Sequence, residues 1–346
     1  MVRTSRRAFL GGMAGSAMAV GWPARAQNPS SITVTSFGGV WETSIREVVV
    51  PEFEKRTNIK ANVLLGGPPQ WMAQIEANRA KPPIDILVNV PDLALVAGRS
   101  GLVEKVSAQR APNLADVPRS FIDIVDGYGS VFTYGCWGLC YHDRVKNPPK
   151  SLAEFIDGTV NGKWRAALPS MLGFAETAHV LIWSFSDIMG GSIDNVDPAF
   201  ATIQKMKANS VFWNGISDPL TLLESGEADI SIYVDGRTWA AFDSGAKWIR
   251  FINPEERGVN LPSVVQKVAN GADAAWDYFD CMLSPTAQSQ VAERLNYGVS
   301  NQKVQYPPKV KERITKWEQT RWPPFEKLTG ETRRQWVERW GKEVRS

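Results

Sequence analysis

From residue 32 onward, short apolar runs alternate with stretches in which apolar residues recur every three or four positions. The run at 32–35 reads as a strand and ends in Ser36-Phe37-Gly38-Gly39. Residues 42–55 place Ile45, Val48, Val49 and Phe53 near one face, the spacing of a helix. A second strand at 61–65 is closed by Gly66-Gly67-Pro68-Pro69, a helix follows at 71–79, and 84–88 reads as a buried strand. Pro91-Asp92 opens the next helix, because proline is pre-organised for a first turn. A β-α-β-α-β-α series of this kind implies a mainly parallel sheet covered by helices on both faces.

The pattern then changes hands and returns. Residues 131–141 form a long apolar strand broken by glycines, and Pro148-Pro149-Lys150-Ser151 starts a new unit. Strands are predicted at 166–169, 228–234 and 248–252, helices at 174–189, 198–208, 219–225 and from Asp235 to residue 242. The strand at 264–268 leads back, and helices at 271–283 and 284–295 close the first unit. The expected class is therefore α/β with two lobes, each a mainly parallel sheet flanked by helices, joined by two hinge crossings. Lobe 1 takes 30–138 and 262–306, lobe 2 takes 139–261, and 307–346 is a proline-punctuated helical tail whose Trp336 and Trp340 are placed to dock on the body. Two facing sheets of this kind create a cleft at the carboxyl ends of their strands.

The first 26 residues stand apart from this pattern. Ser5-Arg6-Arg7-Ala8-Phe9-Leu10, a Gly-rich apolar run and Ala24-Arg25-Ala26 match a twin-arginine export signal cleaved after about Ala26. The expected location is the periplasm, and with no lipobox cysteine after the signal no lipid anchor is expected. The chain has 39 basic and 36 acidic residues. Removing the signal's four arginines leaves 35 against 36, too even a balance for a nucleic-acid or anionic-membrane footprint. The mature length exceeds what one core usually serves, in keeping with two lobes. Cys136 and Cys140 share a strand and lie about 13 Å apart there, too far for a disulfide, so buried free thiols are expected, with Cys281 in a helix core.

Signatures of chemistry are scarce. His142 and His179 are the two histidines, the first beside the hinge and the second within a helix. No HExxH, CxxC, GxSxG or Walker pattern occurs, and Gly38-Gly39 lacks the spacing and the acid of a dinucleotide fold. The seven tyrosines are scattered, unlike a ferric site. No cofactor, metal or catalytic set is expected.

Export, two α/β lobes and a double crossing resemble the periplasmic solute-binding proteins of ABC importers. Ser36-Phe37-Gly38-Gly39-Val40-Trp41 with residues 53–60, then Asp85-Ile86-Leu87-Val88, 226–230, 251–256 and 283–288, are similar in kind and order to landmarks of the spermidine/putrescine type. The resemblance spans about residues 32–301 and implies the type II periplasmic fold, closing on a small polar solute and delivering it to a membrane permease, with a monomer expected.

An amine or polyamine is the favoured ligand on that resemblance, since such a chain needs carboxylates at its ends and aromatic faces along its stem. Carried over, Trp41 falls at a ligand-facing aromatic, Asp92 where the family often has a ring, Glu176 at a helix start that supplies a carboxylate, and Tyr233 with Asp235 at a strand end that offers an aromatic. Phe37, Gly38, Gly39, Asn89 and Asn260 complete the candidate set. Residues 258–262 lack the aromatic and the aspartate that polyamine binders carry there. Structural alternatives stand beside each: Asp92 and Asp235 as helix caps, Trp41 as core, Glu176 as a helix-dipole partner. Arg237 could pair with Asp235; facing the cleft, it would favour an acidic or zwitterionic ligand. An amino-acid-like, carboxylate or ferric ligand in the same fold, or an exported enzyme, are the other readings.

Overall fold

A computed structural model describes residues 30–173 and 175–344, the side chains of 175–177 excepted. The predicted export signal lies outside the described residues. The strands, in chain order, are β1 (Ser31–Ser36), β2 (Lys60–Leu65), β3 (Ile86–Asn89), β4 (Ser130–His142), β5 (Ala166–Pro169), β6 (Ser210–Trp213), β7 (Ile230–Val234), β8 (Ile249–Ile252), β9 (Val259–Lys267) and β10 (Gly298–Val299).

They join in one mixed sheet in the order β2-β1-β3-β9-β4-β7-β5-β6, with β8 and β10 also paired to β4. Within each lobe the pairing is parallel, β1 with β2 and β3, and β5 with β6 and β7. The antiparallel pairs come from the two crossing strands. β9 runs against β3 and β4, and β4 runs against β7 and β8. Continuous pairing across the hinge explains the length of β4. Its first half pairs with β9 and its second half with β7 and β8, so a single strand serves both lobes.

β3 shows why a parallel lobe reads as unbroken apolar sequence. Ile86 and Val88 face a core shared with Val49 and Phe53, while Leu87 faces a second cluster with Trp71 and Ile75. Helices therefore cover both faces, and each fully buried large side chain contributes about 1.5–3 kcal/mol.

Local details depart from the sequence expectations for identifiable reasons. The first helix runs from Val40 to Thr57 through a π-helical segment, Ile45–Val49. Pro51, just beyond it, has no N–H to donate back up the helix, and a wider turn accommodates the break. The next helix is Pro68–Ala77, so the two prolines read as a turn are its first residues. β9 begins at Val259, five residues before the predicted return at 264, so 259–262, where the sequence pattern predicts no element, also lie within the sheet. Strand β6 and helix Leu152–Val160 have no counterpart among the sequence expectations. All three cysteines are buried free thiols. Among the described residues no helix is long and apolar enough to cross a membrane.

The tail is a strap across both lobes. At the hinge it adds main-chain bonds to β9: Arg321 N–H donates to Gly258 O and Asn260 N–H to Arg321 O, each at 2.8 Å. Helix Gly330–Glu343 then docks on lobe 2, with Trp340 edge-on to Phe212 at 5.3 Å and Trp336 against His179 at 5.9 Å. Arg321 pairs with Asp187, and Arg339 with Asp197. The same helix reaches lobe 1 through an ion pair between Arg333 and Asp92.

Candidate functional site

Where β1 ends, Phe37-Gly38-Gly39 turns the chain into the first helix. Gly39 has φ 72° and ψ −137°, a conformation that only glycine adopts without strain. The turn presents Trp41 to the interlobe cleft, with Phe37 edge-on to it at 5.3 Å and Phe132 at 5.8 Å. Trp41 is nevertheless 7 % exposed, so it serves the core and the cleft together. From lobe 2, β7 delivers Tyr233 and helix Asp235–Asp243 delivers Arg237.

Two adjoining cavities result. The larger, about 570 Å³, lies between the Gly38–Trp41 turn and the lobe 2 residues Glu224, Tyr233, Arg237 and Trp248. The second, about 410 Å³, is predominantly apolar and lies between Phe37, Trp41, Trp137, Leu261 and the tail residues Phe325 and Leu328. Gly38, Trp41, Arg237 and Tyr297 border both.

Arg237 is the electrostatic centre of this arrangement. It is exposed, and among the described residues it makes no ion pair. Its neighbours sense it. Burial pushes the Tyr297 phenol up to about 12 and the Tyr233 phenol higher still, and the guanidinium opposes both. Tyr297 comes close because Gly236 has no side chain: a Cβ there would sit 2.2 Å from the tyrosine ring. The Tyr233 hydroxyl donates to Ile216 O at 2.7 Å, which fixes its ring beside the cavity.

The sequence-derived candidates separate into two groups. Phe37, Gly38, Trp41 and Asp92 border the apolar cavity, and Gly38, Gly39, Trp41 and Tyr233 the larger one. Asp92 is paired with Arg333, and burial raises its pKa against the opposing charge of that arginine. Neither aspartate is the N-cap of its helix, a position held by Val90 and Val234. The side chains of Asn89, Asp235 and Asn260 point into the protein and border neither cavity. Asn89 donates to Gln266 Oε1 at 3.0 Å, and Asn260 donates to Thr320 Oγ1 at 2.8 Å. Asp235 Oδ1 accepts from Cys136 N–H at 3.0 Å and Gly236 N–H at 2.7 Å, where burial raises its pKa to about 7. The Glu176 side chain lies outside the described residues. Sequence reasoning missed Trp137, Tyr297, Phe325, Leu328 and Arg333. Tyr297 and the tail residues reach the cleft only through long-range packing, with no local signal.

Among the described residues no group of three or more His, Cys, Asp or Glu side chains is placed to hold a metal ion. What the described residues of the cleft offer is an exposed cation, aromatic faces, the Glu224 carboxylate at the edge and an apolar space beside them, the means to bind a small polar solute.

Comparison with known proteins agrees. A family model described as bacterial extracellular solute-binding protein matches residues 49–316. No curated protein matches the sequence. An extracellular solute-binding protein from Bordetella parapertussis shares 28% identity over 91% of this chain and 99% of its own, with a TM-score of 0.81. An ABC transporter substrate-binding protein from Bradyrhizobium japonicum has 19% identity, coverage of 91% and 99%, and a TM-score of 0.77. The fructose-6-phosphate-bound periplasmic binding protein AfuA from Actinobacillus pleuropneumoniae has 19% identity, coverage of 91% and 98%, and a TM-score of 0.71. The chain therefore belongs to the bacterial extracellular solute-binding proteins: it captures a solute and is not an enzyme.

Proposed function

We propose that the protein leaves the cytoplasm by the twin-arginine route, is cleaved near Ala26, and acts in the periplasm as a monomer that hands its ligand to an ABC permease. We further propose that the ligand is a small amino-acid-like carboxylate held by Arg237, with Trp41 and Tyr233 beside it. The observation that carries this reading is the exposed Arg237 at the junction of both cavities, hydrogen-bonded to the Tyr297 phenol and without an ion-pair partner among the described residues. A guanidinium recognises a carboxylate through two parallel hydrogen bonds, a match no amine can make.

The polyamine expected from the family resemblance finds less support. Of the two candidate aspartates described, Asp92 is paired with Arg333, and Asp235 is buried among backbone donors. Glu224 borders the larger cavity, is exposed, and makes no ion pair among the described residues. It leaves a place for one ammonium group, as a zwitterion requires.

Calorimetry on the mature protein with glycine, norleucine, 4-aminobutyrate, putrescine and spermidine tests this. A carboxylate ligand should bind, and Arg237→Ala should weaken it about 10- to 150-fold, the worth of a charge-assisted hydrogen-bond pair at about 1.5–3 kcal/mol. Binding of putrescine or spermidine, with no response to any carboxylate, overturns the proposal.

A further inference from the structure

The larger cavity can hold the charged head of such a ligand, which leaves the apolar cavity beside it without a role. Its walls come from three separate parts of the chain. Phe37 and Trp41 belong to lobe 1, Trp137 and Leu261 to the crossing strands, and Phe325 and Leu328 to the tail. Trp137 is 3 % exposed and its Nε1 has no hydrogen-bond partner. Phe325 and Leu328 are 7 % and 4 % exposed, so the tail has committed two apolar side chains to closing this space. They are held there from both sides: Lys327 pairs with Asp194 of lobe 2, and Arg333 pairs with Asp92 of lobe 1.

Both tail residues lie beyond residue 316, where the match to the family model ends. The wall they build is a feature of this chain outside the matched region. Its volume of about 410 Å³ is far larger than a packing defect and lies within the range of small-molecule sites. Arg237 and Trp41 border it as they border the larger cavity, so a ligand anchored at the guanidinium can extend into it without leaving the protein.

We propose that this cavity is the second compartment of the ligand site, which takes the hydrocarbon or aromatic body of the solute, and that Phe325 and Leu328 set how long that body can be. The ligand class becomes an amino-acid-like carboxylate with an apolar side chain. This rests on the assignment of Arg237 as the carboxylate anchor.

The test is a series of 2-amino acids with one head group and a growing straight chain, from glycine through norvaline and norleucine to 2-aminooctanoate, titrated calorimetrically. Affinity should rise about fourfold with each methylene until the compartment is full, then fall. Leu328→Trp should move the optimum to a shorter chain, and Leu328→Ala to a longer one. If members of the series bind with affinity flat in chain length, this inference fails while the Arg237 reading stands. It fails in the same way if both variants leave the optimum where it was. If no member binds while 4-aminobutyrate does, this inference fails and the Arg237 reading stands; if no carboxylate of either panel binds, the Arg237 reading itself falls. The wild-type series decides the point even where a variant does not fold.

Discussion

Asp235 connects the pH dependence of stability to one buried carboxyl group. Its ordinary pKa of 3.8 is raised to about 7 by burial, against the opposing pull of donors from Cys136, Gly236 and Thr315. Below about pH 4 the group is protonated both folded and unfolded, and folding is unaffected. As pH rises from about 4 to about 7, the unfolded chain releases the proton while the folded protein keeps it. Stability is therefore lost progressively over that window and levels off above it. At 1.36 kcal/mol for each pH unit between the two values, the full loss is about 4 kcal/mol. Asp235→Asn has the same shape, keeps an oxygen for the Cys136 and Gly236 amides, and never ionises. Urea unfolding of both proteins at half-unit steps from pH 4 to pH 8 isolates the group by difference. The variant should gain on the wild type steadily up to about pH 7, and the gap should then hold constant. A difference that does not vary with pH would refute the argument, as would a wild type that gains on the variant as pH rises, because the amide donors would then be stabilising an ionised carboxylate.

Two further outcomes follow from close packing. Gly236→Ala places a Cβ 2.2 Å from the Tyr297 ring and 2.7 Å from Leu295 O, and should cost about 1–3 kcal/mol in a urea melt; an unchanged midpoint means that Tyr297 is free to move aside. The thiols of Cys136, Cys140 and Cys281 are buried, and burial raises the pKa of each, so a thiol reagent should find none in the native protein and three in denaturant; fast native labelling of any of them would contradict their burial.

What could be read from the sequence was what periodicity encodes locally. The predicted strand at 131–141 emerged as Ser130–His142, because a long run without a charged residue, even with Gly135 and Gly138 in it, is the mark of a strand buried on both faces. The docking of Trp336 and Trp340 followed from their i,i+4 spacing. β6 was hidden because four residues directly after a helical segment are too few to show a period of two. The first half of β9 was hidden because Gly258 and Pro262 interrupt the apolar run before 264, and proline is rare inside a strand. Pro262 is tolerated there, opposite Tyr134, in a stretch of β4 that also pairs with β10. The cleft was half legible. The glycine turn and Trp41 lie next to a strand end, where open α/β sheets bind ligands. The inward turn of Asn89, Asp235 and Asn260 depended on Gln266, Cys136 and Thr320, partners supplied by distant segments.

The charge pattern of the cleft ties these observations to the proposed mechanism. Arg333 is offset by Asp92, and Arg294 by Glu47, so two of the three arginines around the cavities are already neutralised by the protein. Arg237 is exposed, touches the Tyr297 phenol and has no ion-pair partner among the described residues. Shutting two lobes over that guanidinium strips water from it, at an effective cost of several kcal/mol for a fully buried ion. A carboxylate bound against it offsets that cost with charge-assisted hydrogen bonds in the same step. A ligand shifts a hinge equilibrium only by its differential affinity for the open and closed forms. On the proposed reading, Arg237 supplies that difference for the charged head, and the apolar compartment walled by the tail supplies it for the rest of the solute.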